Sequence, residues 1–176
     1  MRKTLAAQAP AAAQQAAENL PAGMLRGFKR VAGYRPRGGE IDPWPLMLRF
    51  AAAGARLALP AAPDRESPLA FRAFAEGDRL TPDAFGVDSP TQDAALVEPD
   101  LLIIPLLGFD RSGGRIGQGG GHYDRTLAVL RARQPVFALG LAYAGQQVAR
   151  APVEAHDQRL DAILTEIAYI EATGDF

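Results

Sequence analysis

The chain contains no cysteine, two histidines, one tryptophan and no excess of charge: 19 Lys and Arg face 20 Asp and Glu, a net charge of -1 over 176 residues. The missing cysteine excludes disulfides, thiol redox chemistry and thiolate metal sites, and two histidines leave little from which to build a zinc centre. With a pI near 6.1 there is no broad basic field, so nucleic acid is disfavoured as a partner. No apolar run approaches the roughly 18 residues that span a bilayer, which argues against a membrane protein and for a soluble, cytoplasmic one. The alanine-rich opening is interrupted by Gln8, Pro10, Gln14 and Gln15, so it reads as mature sequence and not as a signal peptide. The length suits a single domain over 1–176, expected to be a monomer.

What the chain does have is an alternation of helix and strand signals. Residues 11–20 have high helix propensity and are stopped by Pro21 and Gly23. A strand over 27–34 ends in the turn Pro36 to Gly39, with Glu40 at its exit. Asp42 and Pro43 predict an N-cap and first turn for a helix over 44–53, closed by Gly54. Strands follow at 56–60 and 69–74. The stretch 81–99, rich in proline and polar residues, is expected to be a loop lying over the site or a plain surface excursion. Residues 101–107 and 135–143 are apolar at consecutive positions, as strands covered on both faces must be, with a helix over 126–133 as their crossover. One more strand is expected at 163–166. The sum is an α/β chain with a mainly parallel sheet.

The densest signal is Arg115-Ile-Gly-Gln-Gly-Gly-Gly-His-Tyr-Asp-Arg125. Gly117, Gly119, Gly120 and Gly121 let the backbone approach a ligand closely, and the helix that follows adds unpaired N–H groups and a positive dipole end. This reads as a phosphate-binding loop, with Arg115 and Arg125 supplying positive charge. Asp124 beside phosphate calls for an intervening cation, and Mg²⁺ suits one or two carboxylates plus phosphate oxygens. Asp157 is the candidate second carboxylate. The bland alternative is a glycine hinge with a capping Asp. Because α/β sheets bind ligands beyond the carboxyl ends of their strands, Glu40, Asp110 with the glycine loop, and Gln146 are expected to converge. His122 and His156 are not assigned catalysis.

The segment Phe109-Asp110, Arg115 to Arg125, Gly140-Leu-Ala-Tyr-Ala-Gly-Gln146, Glu154-Ala-His-Asp157, Leu160-Asp161 and Thr165-Glu166 closely resembles the 5-formyltetrahydrofolate cyclo-ligase family. Upstream, Tyr34 to Asp42, Leu57 to Pro60 and Phe71 keep the family's order. The resemblance implies a single three-layer α/β/α, Rossmann-like domain and the ATP- and Mg²⁺-dependent conversion of 5-formyltetrahydrofolate, with or without added glutamates, to 5,10-methenyltetrahydrofolate. It further implies that Arg115, Ile116, Gly117, Gln118, Gly119, Gly120, Gly121, His122 and Tyr123 hold ATP, and that Gln118 to His122 and Glu40 border the folate. Asp124 and Asp157 would hold magnesium, and Glu40, Arg115 and Tyr123 would be catalytic. Family members usually begin with a helix whose Lys and Arg touch ATP phosphates, whereas Arg2 and Lys3 run into alanines and glutamines without that spacing. Phe85-Gly-Val-Asp-Ser-Pro90 likewise lacks the family's Glu-Pro. A second reading therefore stands beside the enzyme: a non-catalytic protein that binds reduced folate or nucleotide.

Overall fold

A computed structural model describes residues 2–174; Met1, Asp175 and Phe176, which the single-domain expectation includes, lie outside the described residues. Helices α1 (Arg2–Gln8) and α2 (Ala12–Asn19) lead through a 3₁₀ turn, Ala22–Arg26, into strand β1 (Arg30–Ala32). Helix α3 (Trp44–Ala52) and β2 (Arg56–Ala61) follow, then β3 (Ala70–Ala73) and a small hairpin of β4 (Leu80–Pro82) and β5 (Asp88–Pro90). Strand β6 (Leu101–Pro105) precedes a second hairpin, β7 (Gly108–Phe109) with β8 (Arg115–Ile116), and then α4 (His122–Arg131). Strands β9 (Phe137–Leu141), β10 (Ala162–Leu164) and β11 (Tyr169–Glu171) complete the chain.

Seven strands form one sheet in the order β11-β10-β9-β6-β1-β2-β3. Contacts among β10, β9, β6, β1 and β2 are parallel, and the two edges, β11 and β3, are antiparallel. The sheet is mainly parallel, as its apolar runs predict. Val31, Leu57, Leu101, Ile103, Leu139 and Leu164 face α2 and α3, while Ala32, Ala58, Leu102, Ile104, Ala138 and Ile163 face the layer containing α4. Both faces are thus covered, giving three layers. Truncating Ile103, fully buried in mid-sheet, to Ala is expected to cost about 3 kcal/mol of stability through lost transfer energy and a residual cavity.

The chain steps from β1 to β2 on one side and from β6 to β9 and β10 on the other, so the winding reverses between the neighbours β1 and β6. A crevice opens beyond their carboxyl ends, where doubly wound folds bind ligands.

Several expectations need correction. The helix expected at 126–133 begins four residues earlier, because Gly121, in the left-handed region at φ 62°, turns the chain into α4 without a side-chain cap. No Ser, Thr or Asp marks that start in the sequence. The stretch 81–99 is not a plain loop but carries the β4/β5 hairpin, and β11 and α1 were not anticipated. Asp42 accepts from the Trp44 amide at 2.9 Å, closing the first turn of α3 from just outside it.

Candidate functional site

The crevice at the switch point is a cavity of about 340 Å³. Its lining comes from the exit of β1 (Tyr34, Arg35, Arg37, Glu40), the hairpin tip (Asp83, Phe85, Val87), the end of β6 (Pro105), and the loop and first turn of α4 (Arg115, Gly117, Gln118, Gly120, Gly121, His122, Tyr123, Asp124). Glu40 and Gln118, 78 positions apart, therefore meet because β1 and β6 are sheet neighbours.

Glu40 is the centre of this wall. Its side chain is only 4 % exposed and pairs with Arg2 of α1 at 2.8 Å. The same oxygen, Oε1, accepts from Gln118 Nε2 at 2.9 Å, and Oε2 accepts from the Arg37 amide at 2.9 Å. Three segments thus converge on one carboxylate: α1, the glycine loop, and the turn that carries Glu40. That turn needs Gly39, whose φ is 86° and where a Cβ would come within 3.0 Å of the Lys3 amide nitrogen. A side chain there would push α1, and with it Arg2, off the site.

The first turn of α4 presents the amides of His122, Tyr123 and Asp124 without intrahelical acceptors, the ordinary condition of a helix start. Tyr123 packs against the core under α4; that burial, with the charge of Glu40, pushes its phenol well above the usual range. Tyr34, whose hydroxyl donates to the Ile41 carbonyl at 2.6 Å, is pushed up by the same two causes. Both remain neutral at ordinary pH. A neutral phenol can donate a hydrogen bond but is no ready base.

The two loop arginines differ from expectation. Arg115 lines the cavity but is paired with Asp124 at 2.6 Å, its side chain 6 % exposed, and also donates to the Gln158 carbonyl. Arg125 is not in the lining: its Nη2 donates to the carbonyls of Arg65 at 2.8 Å and Gly120 at 2.9 Å. Its buried Nε has no acceptor among the described residues. Arg125 thus ties the glycine loop to the 64–67 loop. His122 also touches that loop, Nε2 lying 3.2 Å from the Asp64 carbonyl oxygen, and meets Phe85 edge to face at 5.6 Å.

Asp110 and Gln146, expected to converge on the site, do not line it. Asp110 is buried and spends both oxygens on the turn that follows and on the Ala151 amide. Gln146 is buried too, donating to the carbonyls of Leu106 and Leu107 and accepting from the Tyr143 amide. Both fasten loops behind the crevice. His156 is exposed beside Glu154 and Asp157.

For a cation, the residues at hand are Asp124 and Asp157. Asp124 Oδ1 accepts from Arg115 and, at 2.8 Å, from the Gln158 amide, which brings the loop carrying Asp157 up to α4. Asp124 lines the cavity, and both of its hydrogen bonds fall on Oδ1, none on Oδ2, among the described residues. Asp157 closes its own turn by accepting from the Glu154 amide and lies outside the cavity lining. No group of three or more His, Cys, Asp or Glu suited to a metal occurs among the described residues. A set of one or two carboxylates fits magnesium, which takes its remaining ligands from water and phosphate.

Tyr34, Arg35, Arg37, Phe85 and Val87 were not singled out from the sequence as site residues. The rule that ligands lie past strand ends could have flagged Tyr34, and two arginines astride Pro36 just before Glu40 could have flagged the turn.

A sequence model of the 5-formyltetrahydrofolate cyclo-ligase family matches residues 1–166. The 5-formyltetrahydrofolate cyclo-ligase of Escherichia coli K12 is 37 % identical over 142 residues, covering 77 % of this chain and 76 % of that protein. That of Mycolicibacterium smegmatis is 30 % identical over 168 residues, covering 89 % and 85 %. The NMR structure of Aquifex aeolicus 5,10-methenyltetrahydrofolate synthetase superposes with a TM-score of 0.75 at 27 % identity, covering 93 % of this chain and 82 % of that one. With a family match over nearly its whole length and relatives that share both its sequence and its fold, this chain belongs to the 5-formyltetrahydrofolate cyclo-ligase family of enzymes.

Proposed function

We propose that the crevice between β1 and β6 binds Mg·ATP and 5-formyltetrahydrofolate together and forms 5,10-methenyltetrahydrofolate, releasing ADP and phosphate. The observation that carries this reading is the Gln118–Glu40 hydrogen bond of 2.9 Å. It joins the loop suited to face phosphates to a buried carboxylate that can face a cation, so the two reacting partners have adjoining places.

A formamide oxygen is a weak nucleophile and its carbon a weak electrophile, and phosphorylation cures both. The formyl oxygen attacks the γ-phosphorus, the bond to the bridging oxygen breaks, and ADP departs. The iminium phosphate left behind carries positive charge next to nitrogen. The neighbouring folate N–H nitrogen then adds to the formyl carbon and loses its proton, and the carbon–oxygen bond breaks to release phosphate. In such a transfer the protein chiefly aligns the reactants and offsets charge.

Glu40 is suited to stabilise the iminium, being held in place before substrate arrives. The amides of Gly119 to Asp124 are suited to the phosphates, and the neutral Tyr123 hydroxyl to donate to an oxygen that gains charge. Arg115 moves from Asp124 to a phosphate oxygen when nucleotide binds, which frees the Asp124 carboxylate. Asp124 with Asp157 would hold magnesium, which would supply charge neutralisation at the phosphates.

The alternative of a non-catalytic binder rests on the unusual spacing of Arg2 and Lys3. Against it, Arg2 on α1 reaches Glu40 at 2.8 Å, so a cation from the first helix stands at the site. Mixing the chain with 5-formyltetrahydrofolate, with and without Mg·ATP, separates the two. Growth of the methenyl chromophore only with Mg·ATP is expected; folate binding without chromophore would leave the binder. No helix among the described residues is long and apolar enough to cross a membrane.

A further inference from the structure

The charged groups bordering the cavity divide into those already engaged and those not. Glu40 is held by Arg2, Gln118 and the Arg37 amide, and Asp124 by Arg115 and the Gln158 amide. Asp83 is spent on the amides of Phe85 and Val87 in its own turn. Arg35 and Arg37 remain. Both line the cavity, both are exposed, and neither guanidinium has a carboxylate or carbonyl partner among the described residues.

Their backbone is unusually stiff for an exposed turn. Pro36 fixes its own φ and favours an extended Arg35, and both arginines border the same cavity. Beyond them the Glu40 amide donates to the Arg37 carbonyl at 3.1 Å, the Arg37 amide donates to Glu40 Oε2, and Gly38 and Gly39 take positive φ against α1. Two like charges thus border one crevice, on a turn tied to Glu40 by its own backbone. An anion with more than one oxygen relieves their repulsion and matches the forked geometry of guanidinium groups.

We infer that Arg35 and Arg37 form a second oxyanion site, separate from the phosphate loop, that takes the carboxylates of the folate's glutamate tail. This rests on the proposed folate reading of the crevice. The proposed function gives the phosphates to the glycine loop and the start of α4, a different segment from this turn, and the folate's own anionic groups lie at its tail. With Glu40 three residues from Arg37, a ring at Glu40 leaves the tail leading out over this rim.

The test is equilibrium binding by calorimetry of three compounds: 5-formyltetrahydropteroate, which lacks glutamate, 5-formyltetrahydrofolate, and its triglutamate. The wild type should bind them with rising affinity. The double variant Arg35→Gln, Arg37→Gln should lose about tenfold for the two glutamate-bearing compounds and nothing for the pteroate, with a smaller loss for Arg35→Lys, Arg37→Lys, which keeps charge without the fork. Its KM for Mg·ATP should be unchanged. Equal losses on all three compounds would overturn the assignment, as would a loss confined to Mg·ATP, and a thermal melt of each variant guards against misfolding. If the affinity ladder appears but no chromophore forms with Mg·ATP, the catalytic reading fails and this site stands. If chromophore forms but the ladder is flat, the reverse holds.

Discussion

Asp110 and Glu40 are both buried carboxylates placed past the carboxyl ends of neighbouring parallel strands, yet they are held in different ways. Asp110 is held by backbone amides of Ser112, Gly114 and Ala151 and by the Ser112 hydroxyl. Burial opposes its charge, but these donors outweigh it and hold the carboxyl below the usual range. Glu40 is held mainly by two long side chains from distant segments, Arg2 and Gln118, and it faces the cavity. Backbone donors cannot turn away; arginine and glutamine side chains can be handed to a ligand. Burial and hydrogen bonding alone do not mark a functional acid. Both acids border a cavity, so what separates them is the nature of their donors.

Changes that sharpen this contrast range from large to small. Glu40→Gln keeps the shape and removes the charge, and is expected to lower turnover by about 10²–10³ while the melting temperature shifts little, as steady-state kinetics and a thermal melt of one preparation can show. Asp110→Asn should do the converse. It sets an amide against the Ala151 or Ser112 donors and is expected to cost about 3 kcal/mol in denaturant unfolding, with activity per folded molecule retained. Because the folded Asp110 carboxyl lies below its unfolded value, its contribution is fully present above the ordinary Asp range near pH ~4 and is lost as pH falls through the folded value. The stability gap between wild type and Asp110→Asn should therefore close on acidification.

Smaller effects are expected on the nucleotide side. Asp124→Asn should raise the magnesium concentration needed for half-maximal ATP binding by about tenfold, read from a magnesium titration of the binding isotherm. Unchanged magnesium dependence would remove Asp124 from the ligand set. Arg125→Lys keeps the charge but cannot bridge the Gly120 and Arg65 carbonyls as a fork does, so KM for ATP should rise about threefold with kcat unchanged. A kcat effect with KM unchanged would place Arg125 in the chemistry and not in the positioning of the loop.

How much of this was legible beforehand follows from where each signal resides. The parallel core was, since Leu101 to Ile104 and Phe137 to Leu141 are apolar on both faces and only a doubly covered strand calls for that. The glycine loop and Glu40 were, because strand exits and glycine clusters are local patterns. What escaped depends on side-chain pairing across the fold. Nothing near Arg125 in sequence says that it turns to carbonyls at 65 and 120, nor that Arg115 is met by Asp124. Asp110 and Gln146 sit at strand exits like Glu40, and only the donors around them show that they fasten loops. The early start of α4 was hidden because glycine, and no polar cap, stands at position 121.

The most direct test of the proposed alignment of a formyl oxygen with a terminal phosphate is to follow that oxygen. In a single turnover of Mg·ATP with 5-formyltetrahydrofolate labelled with ¹⁸O at the formyl group, the label should emerge in the released inorganic phosphate, one atom per methenyl group formed. Label recovered in water, with unlabelled phosphate, would contradict phosphorylation of the formyl oxygen and with it the roles given to Glu40 and the glycine loop.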